Sequence, residues 1–201
     1  MELWKICRVV NNAVRLDMLR VISQSPCCEL NVLQTGDFVR LQKAASSQYL
    51  KQLAAAGFLD VKRNGRYVVC SCSDSLGTQA GEIYEALKVV FPKSSMQEWT
   101  DGVIEKINAF SHYVRIRILN LLQKDGPIGF EQLLVKTELT PKTLRRQIGV
   151  LISAGFIEPG TNSGTEIREY RLAVPCDPLS KALIKCLKQG HSLQTVSMRD
   201  E

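Results

Sequence analysis

Residues 41–58 read LQKAASSQYLKQLAAAGF, and this stretch decides the fold that the sequence predicts. Leu50 and Leu53 lie three residues apart, which places them on one face of a helix with polar side chains on the opposite face. Gly57 marks the end of that helix, because glycine adopts the left-handed backbone of a helix C-cap without steric cost. The stretch therefore predicts an amphipathic helix that ends at a glycine.

A strand, a basic turn and a second strand follow this helix. Residues 58–61 and 67–70 are mostly apolar, and the basic residues KRNGR lie between them at 62–66. Asn64-Gly65 is a dipeptide that favours the tip of a tight hairpin. The sequence therefore predicts a basic β-hairpin directly after the helix.

The same layout recurs in the second half of the chain. Residues 139–156 read LTPKTLRRQIGVLISAGF, and Gly155 follows Gly57 by 98 residues. Apolar side chains recur at i, i+4 and i+7 in this stretch, which is the spacing of a buried helix face. A second hairpin follows, with its predicted tip at 160–164. A repeat of this length predicts two copies of one structural unit.

The repeat predicts two domains, residues 1–93 and residues 94–201, joined by a polar linker at 92–95. Periodicity predicts further helices at 2–10, 13–23, 29–35, 74–91, 96–109, 112–123, 130–136 and 179–188. We expect a turn at Gly36-Asp37, helix caps at Asp74 or Ser75 and at Ser111, and a frayed tail at 190–201.

Composition and charge limit the classes of function. The net charge is +6 with pI near 9.0; residues 1–93 carry twelve lysines and arginines against eight acids, and residues 94–201 fourteen against twelve. Both halves are therefore basic, as two copies of a module for a polyanionic partner would be. The seven cysteines fit no disulfide framework, and no signal peptide or membrane-spanning apolar run is found. We expect a reduced cytoplasmic protein without membrane partners.

The order helix, helix, short helix, helix and two-stranded wing is that of a winged helix-turn-helix. The expected fold class is thus mainly α with small β-hairpin wings, an α+β arrangement of two such domains in tandem. The motifs also resemble those of the arsenical-resistance-repressor (ArsR) type of bacterial and archaeal transcription regulators. The matching positions are Arg15-Leu16 with Leu19, Ser47 with Leu50 and Leu53, Ala56-Gly57-Phe58, Arg115-Ile116 with Leu119, Arg145 with Ile148 and Leu151, and Ala154-Gly155-Phe156.

The chain also departs from that family in three respects. Tyr49 and Gln147 stand where the family often has a histidine in its recognition helix, and residues 36–41 form an unusual loop for it. Most members are single-domain dimers, whereas this chain carries two copies of the unit. The resemblance implies a transcription regulator whose recognition helices, about 42–56 and 140–154, enter the major groove of double-stranded DNA.

Side chains in these helices and wings have the chemistry that DNA binding needs. Short polar groups suit base edges and phosphates, arginine binds guanine bidentately, and lysine neutralises phosphate. Arg145 and Arg146 are the best base-reading candidates, so the second helix is expected to be the stronger reader. The predicted DNA-binding residues are Gln42, Lys43, Ser46, Ser47, Gln48, Lys51, Lys62, Arg63, Arg66, Thr140, Lys142, Thr143, Arg145, Arg146, Gln147 and Arg168.

Alternatives to specific DNA binding remain open at this point. One is a winged-helix module that binds other proteins, and another is a ligand- or metal-responsive repressor with an unknown small-molecule effector between the halves. Cys70 and Cys72 are weak metal candidates, since they share one face of a strand, but packed thiols are the favoured interpretation. The binding unit is either a homodimer or an intramolecular pseudo-dimer. We find no catalytic motif and expect neither enzymatic activity nor a cofactor.

Overall fold

The computed structural model describes the backbone of residues 1–73, 77–91, 100–161 and 167–196. Within these ranges the side chains of residues 27, 100–101, 161, 167–168 and 190–196 are outside the description. The predicted linker at 92–95 and residues 162–164 of the hairpin tip predicted at 160–164 also lie outside the described residues.

The first half contains five α-helices and a small sheet within its described part. The elements are α1 (Leu3–Val10), α2 (Ala13–Ser23), a 3-10 turn (Pro26–Cys28), β1 (Glu29–Asn31), α3 (Val32–Phe38), α4 (Lys43–Ala55), β2 (Leu59–Asn64), β3 (Tyr67–Cys72) and α5 (Gln79–Val90). The strands form an antiparallel sheet in the order β1-β3-β2. The hairpin of β2 and β3 is the predicted wing.

The second half follows the same order of helices and hairpin. Its elements are α6 (Thr100–Phe110), α7 (Tyr113–Asp125), α8 (Phe130–Thr137), α9 (Pro141–Ser153), β4 (Ile157–Thr161), β5 (Ile167–Leu172) and α10 (Pro178–Val196). Where the first half has β1, the second half has a single bridge in which Ile128 and Tyr170 exchange backbone hydrogen bonds of 3.0 and 2.8 Å. The molecule is mainly helical with small antiparallel sheets, as predicted.

Local sequence explains where α9 begins and ends. The Thr140 hydroxyl accepts a hydrogen bond from the Thr143 amide, and Pro141 occupies the first turn, where its missing N–H costs nothing. At the other end, Gly155 adopts φ of +75°, and Gly57 ends α4 with φ of +83°. Both predicted glycine stops are therefore confirmed in the backbone.

The segment between α2 and α4 differs from the prediction. Residues 29–35 were expected to form one helix, but Glu29–Asn31 pairs with β3, and α3 then includes the predicted turn at Gly36-Asp37. The reason is a capping box, in which the Asn31 side chain accepts from the Gln34 amide and the Gln34 side chain accepts from the Asn31 amide. The turn lies instead at Arg40, whose φ is +55°.

Several predicted ends are also corrected. Asn64 pairs with Tyr67, so the wing turns at Gly65-Arg66 rather than at Asn64-Gly65. Thr78 caps α5, while the predicted caps Asp74 and Ser75 lie outside the described residues, and His112 caps α7 in place of Ser111. The last helix extends to Val196, so only residues 197–201 of the predicted frayed tail lie outside the described chain.

The two halves contact each other through the helices that flank their central units. Helix α1 packs against α6, and α5 packs against α10. The Asn11 amide donates to Asn108 Oδ1 at 3.3 Å, and Lys185 forms an ion pair of 2.7 Å with Glu82. Each of these helices thus packs against the helix that has the same place in the element order of the other half.

No helix in the described part of the chain is long and apolar enough to cross a membrane.

Two glycines of the second half should respond to alanine in opposite directions. Gly155→Ala should lower the free energy of unfolding by about 1–2 kcal/mol, because an L-residue is strained at positive φ. Gly149 lies exposed in the interior of α9, where an added Cβ would meet no neighbouring side chain or other element within 4 Å, so Gly149→Ala should raise the free energy of unfolding by about 0.5–1 kcal/mol. Urea denaturation of the three proteins measures both changes, and equal destabilisation by both substitutions would contradict the assigned helix end.

Candidate nucleic-acid interface

Helix α9 has one buried face and one exposed basic face. Leu144, Ile148 and Leu151 are buried in the core of the second half. Lys142, Arg145 and Arg146 are exposed on the first turns, and Thr140 and Thr143 lie beside them, exposed and half-buried respectively. The amino-terminal part of α9 therefore presents cationic and hydroxyl groups to solvent.

A buried arginine of α7 connects this helix to the rest of the second half. Arg115 is 7% exposed, and its Nη1 donates to Gln147 Oε1 of α9 at 2.9 Å. Its Nε donates to the Ala109 carbonyl at 3.1 Å, and its Nη2 donates to the Asn108 carbonyl at 2.6 Å. Burial, with a smaller contribution from Arg146, lowers the pKa of Arg115. One guanidinium thus joins the end of α6 to the middle of α9.

This arrangement corrects one predicted DNA contact. Gln147 was expected to face DNA, but it is 3% exposed and accepts the hydrogen bond from Arg115. In this conformation its side chain positions the helix and cannot reach a groove. The helix period explains the error, because Gln147 lies directly beside Ile148 at the margin of the buried face.

Arg145, on the exposed face of α9, makes a contact with an aromatic ring. The guanidinium of Arg145 lies over the ring of Phe130, with Cζ 5.1 Å from the ring centroid. Phe130 is the first residue of α8, so this cation–π contact connects α8 to α9. Arg145 is exposed and at the same time restrained in direction.

Helix α4 presents a similar but less basic face. Gln42, Lys43, Gln48 and Lys51 are exposed, and Ser47 is half-buried. Ser46 was also predicted to contact DNA, but it is fully buried and its hydroxyl donates to the Gln42 carbonyl at 3.1 Å.

The burial of Ser46 depends on a glycine in α3. A Cβ at Gly36 would lie 2.7 Å from Ser46 Oγ and 3.0 Å from the Leu41 carbonyl oxygen. Helices α3 and α4 therefore approach closely at this point, and Ser46 serves their packing.

Arg15 occupies in the first half the position that Arg115 occupies in the second. Its Nη1 donates to Gln52 Oε1 at 2.7 Å, its Nε donates to the Val9 carbonyl, and its guanidinium lies 5.6 Å from the centroid of the Tyr49 ring. Both arginines lie within the repeated motif, at Arg15-Leu16 and Arg115-Ile116, but the sequence pattern predicts no role for them. Their 100-residue spacing, with apolar neighbours on both sides, was the available signal.

The wings carry the remaining predicted contacts. Lys62, Arg63 and Arg66 are all exposed along β2 and its turn. Arg168 lies in the backbone of β5, but its side chain falls outside the described residues. The first wing therefore presents three exposed cationic side chains, which is the chemistry that contact with a nucleic-acid backbone needs.

The cysteine pair of β3 is poorly suited to bind a metal as thiolates. Burial raises the pKa of Cys70 to about 11, and burial also raises the pKa of Cys72, whose sulfur accepts a hydrogen bond of 2.6 Å from the Tyr84 hydroxyl. Among the residues that the structure describes, no three histidine, cysteine or acidic side chains are grouped as a metal site.

Residues 112–158 match a family model described as winged helix-turn-helix DNA-binding. The match begins at the cap of α7, includes α8 and α9, and ends in β4. No curated protein and no solved structure gives a significant match to the chain. The second half thus carries a winged helix-turn-helix, while the ArsR type and the tandem arrangement stay predictions.

Replacing the buried arginine should destabilise the second half. Arg115→Gln should lower the free energy of unfolding by about 2–4 kcal/mol, because it leaves buried carbonyl acceptors without their charged donor. Lys124→Gln, at the exposed far end of the same helix, should change it by less than about 0.5 kcal/mol. Urea denaturation measures the free energy of unfolding of both variants. A similarly small change for both would show that the hydrogen bonds of Arg115 do not stabilise the second half.

Thiol reactivity should follow burial. Cys28 and Cys176 are exposed, whereas Cys7, Cys70 and Cys186 are buried. We expect a thiol-specific reagent to label the exposed pair in the native protein and the buried three only after unfolding, since burial raises their pKa. Mass spectrometry of labelled peptides reads out each site. Rapid native labelling of Cys70 would contradict the assigned packing of β3.

Proposed function

We propose that the chain is a DNA-binding transcription regulator that places α9 in the major groove of duplex DNA. The observation that carries this proposal is the exposed basic face of α9. The buried hydrogen bond from Arg115 to Gln147 holds α9 from its opposite side. The helix lies inside the segment that matches the winged helix-turn-helix model. A helix fits the major groove, and its amino-terminal residues reach base edges. In α9 those residues are the exposed ones.

The side chains of α9 divide into two roles in this proposal. Arg145 and Arg146 read bases, since a guanidinium makes two hydrogen bonds to guanine. Lys142, Thr140 and Thr143 contact phosphates and fix the helix in its register. The contact of Arg145 with Phe130 supports the first role, because a restrained side chain loses less conformational entropy on binding.

We further propose that residues 1–93 and 94–201 form two winged-helix domains that act as an intramolecular pseudo-dimer. The repeated order of elements supports this, as does the packing of α1 on α6 and of α5 on α10. In this arrangement α4 reads a second half-site, about 34 Å from the first. The motifs around Arg15 and Arg115 favour the ArsR type for both domains.

The base-reading role predicts a large loss of affinity on removing either arginine of α9. Arg145→Ala or Arg146→Ala should each weaken binding to the preferred sequence by about 1–3 kcal/mol and relax its base preference. Lys181→Gln, which removes one exposed charge from α10, is the matched control and should leave affinity nearly unchanged.

The experiment begins with selection of bound duplexes from random oligonucleotides by the full chain. Fluorescence anisotropy at one salt concentration then compares the variants on the selected sequence. Enrichment of a motif with two spaced half-sites supports the pseudo-dimer, and a single half-site contradicts it. Equal affinity of the wild type and both arginine variants would contradict base reading by α9.

A protein-binding role for the first half is the second candidate, and a specific observation favours it. Phe38 is 65% exposed at the end of α3, and Val61 and Tyr67 are 47% and 57% exposed on the wing. Exposed apolar side chains on neighbouring elements are typical of protein interfaces. Salt dependence separates the candidates, because each phosphate contact lowers log affinity by about 0.9 per log unit of salt, whereas an apolar interface does not.

A further inference from the structure

Two cysteines lie at the same end of the ladder that β1 and β3 form. In this antiparallel pair, Glu29 at the start of β1 lies opposite Ser71. The same register, continued by one residue, brings Cys28 opposite Cys72. Cys28 ends the 3-10 turn directly before β1, and Cys72 is the last residue of β3. We call Cys28 and Cys72 the thiol pair.

Opposed positions of an antiparallel ladder have the geometry that a disulfide needs. Their Cα atoms lie about 4.5–5.5 Å apart, which is within the range of about 4.4–6.8 Å that a disulfide spans. Opposed side chains also share one face of the sheet. On that face the preceding pair, Leu30 and Cys70, is buried in the core. The thiol pair continues this row to the end of the sheet, where Cys72 is half-buried and Cys28 is exposed.

Neighbouring groups contact both sulfur atoms. Cys28 Sγ donates to the carbonyl of Ser23, the last residue of α2, at 3.5 Å. The hydroxyl of Tyr84, a buried residue of α5, donates to Cys72 Sγ at 2.6 Å. Burial raises the pKa of Cys72, the bond from Tyr84 opposes this, and the neighbouring Cys28 thiol raises that pKa further. The influence of one thiol on the other agrees with the positions that the register gives them.

The two thiols differ in their access to solvent, and this gives them different roles in oxidation. A peroxide reaches the exposed Cys28 first, because oxidation of cysteine follows exposure. Burial, and then the hydrogen bond to Cys72, raise the pKa of Tyr84, so its hydroxyl keeps its proton and remains a donor. A donor to sulfur stabilises the thiolate form, which is the form of Cys72 that attacks an oxidised partner.

We propose that the thiol pair is an oxidation site, at which hydrogen peroxide converts Cys28 and Cys72 into a reversible disulfide. The Cys28 thiolate attacks one peroxide oxygen and the O–O bond breaks, which gives the sulfenic acid of Cys28 and one water. The Cys72 thiolate then attacks the oxidised sulfur. An S–S bond forms, the S–O bond breaks, and the hydroxide leaves as water with the proton from Cys72. Two thiols lose two electrons in total, and the peroxide is reduced to two waters.

The disulfide has a defined structural consequence. It closes a loop around residues 29–71, which contain α3, α4, β2 and most of β3. A cross-link restricts the unfolded chain, so oxidation holds this part of the first half in its folded arrangement. The inference goes beyond the proposed function, since it concerns the first half and needs no DNA.

The test maps cross-links in the full chain after treatment with a small excess of hydrogen peroxide. Iodoacetamide blocks the remaining thiols before digestion, so that no disulfide forms later. Trypsin cleaves after lysine and arginine, so residues 21–40 carry Cys28 and residues 67–88 carry Cys72. Mass spectrometry should detect these two fragments joined to each other, and dithiothreitol should separate them.

Substitutions identify the cysteines, because each fragment contains a second one, Cys27 or Cys70. Cys28→Ser and Cys72→Ser should each abolish the cross-link, whereas Cys27→Ser should retain it. Cys28 is exposed, so its variant keeps the fold even if replacing the half-buried Cys72 does not. Cys176→Ser is the matched control, because it removes an exposed thiol of the second half and should retain the cross-link.

The outcomes decide the assignment in either direction. A cross-link that forms within one chain, requires both cysteines and reverses with dithiothreitol supports it. A wild type in which Cys28 and Cys72 stay unlinked, as free thiols or with Cys28 as sulfinic acid, overturns it. A cross-link that persists in Cys28→Ser, or one found only in a covalent dimer on non-reducing electrophoresis, overturns it as well.

Discussion

The hydrogen bonds of the Arg115 guanidinium determine how the second half presents α9. This buried cation donates to two carbonyls at the end of α6 and to Gln147 in the middle of α9. A buried charge is tolerated only when its donors are satisfied, so the helices cannot shift without leaving it unpaired. The exposed residues on the opposite side of α9 are consequently held in one orientation, which is what reading a groove requires.

Arg15 performs a related task in the first half with different partners. Tyr49 stands at the position of Gln147 and stacks on the guanidinium, while Gln52, about one turn later, accepts the hydrogen bond. In both halves the arginine therefore donates a hydrogen bond to a glutamine of the following long helix, but in the first half that glutamine lies about one turn later in the helix. Arg15 is also less buried than Arg115.

Much of the fold could be predicted because it depends on local signals. The apolar spacing around Leu144 and Ile148, and the glycines that end α4 and α9, specify helices without reference to the rest of the chain. Strand β1 could not be predicted, since its three residues are a strand only because β3 pairs with them. The burial of Ser46 could not be predicted from local sequence either, because it depends on the close approach of α3 at Gly36.

The candidate site was predictable in residue type and less so in geometry. Arg145 and Arg146 follow from helix period and charge, whereas the burial of Gln147 depends on its contact with Arg115 of α7, which no local pattern records. The orientation of α9 thus depends both on a locally encoded helix and on hydrogen bonds that only the folded chain creates.

Hydrogen–deuterium exchange of the full chain, with and without a mixed-sequence duplex, tests the central claim most directly. We expect the duplex to slow exchange in the first turns of α9 and in the neighbouring cap of α7, and to leave the middle of α10 unchanged. Slowed exchange confined to other elements, with α9 unaffected by saturating duplex, would contradict the proposal that α9 is the reading helix.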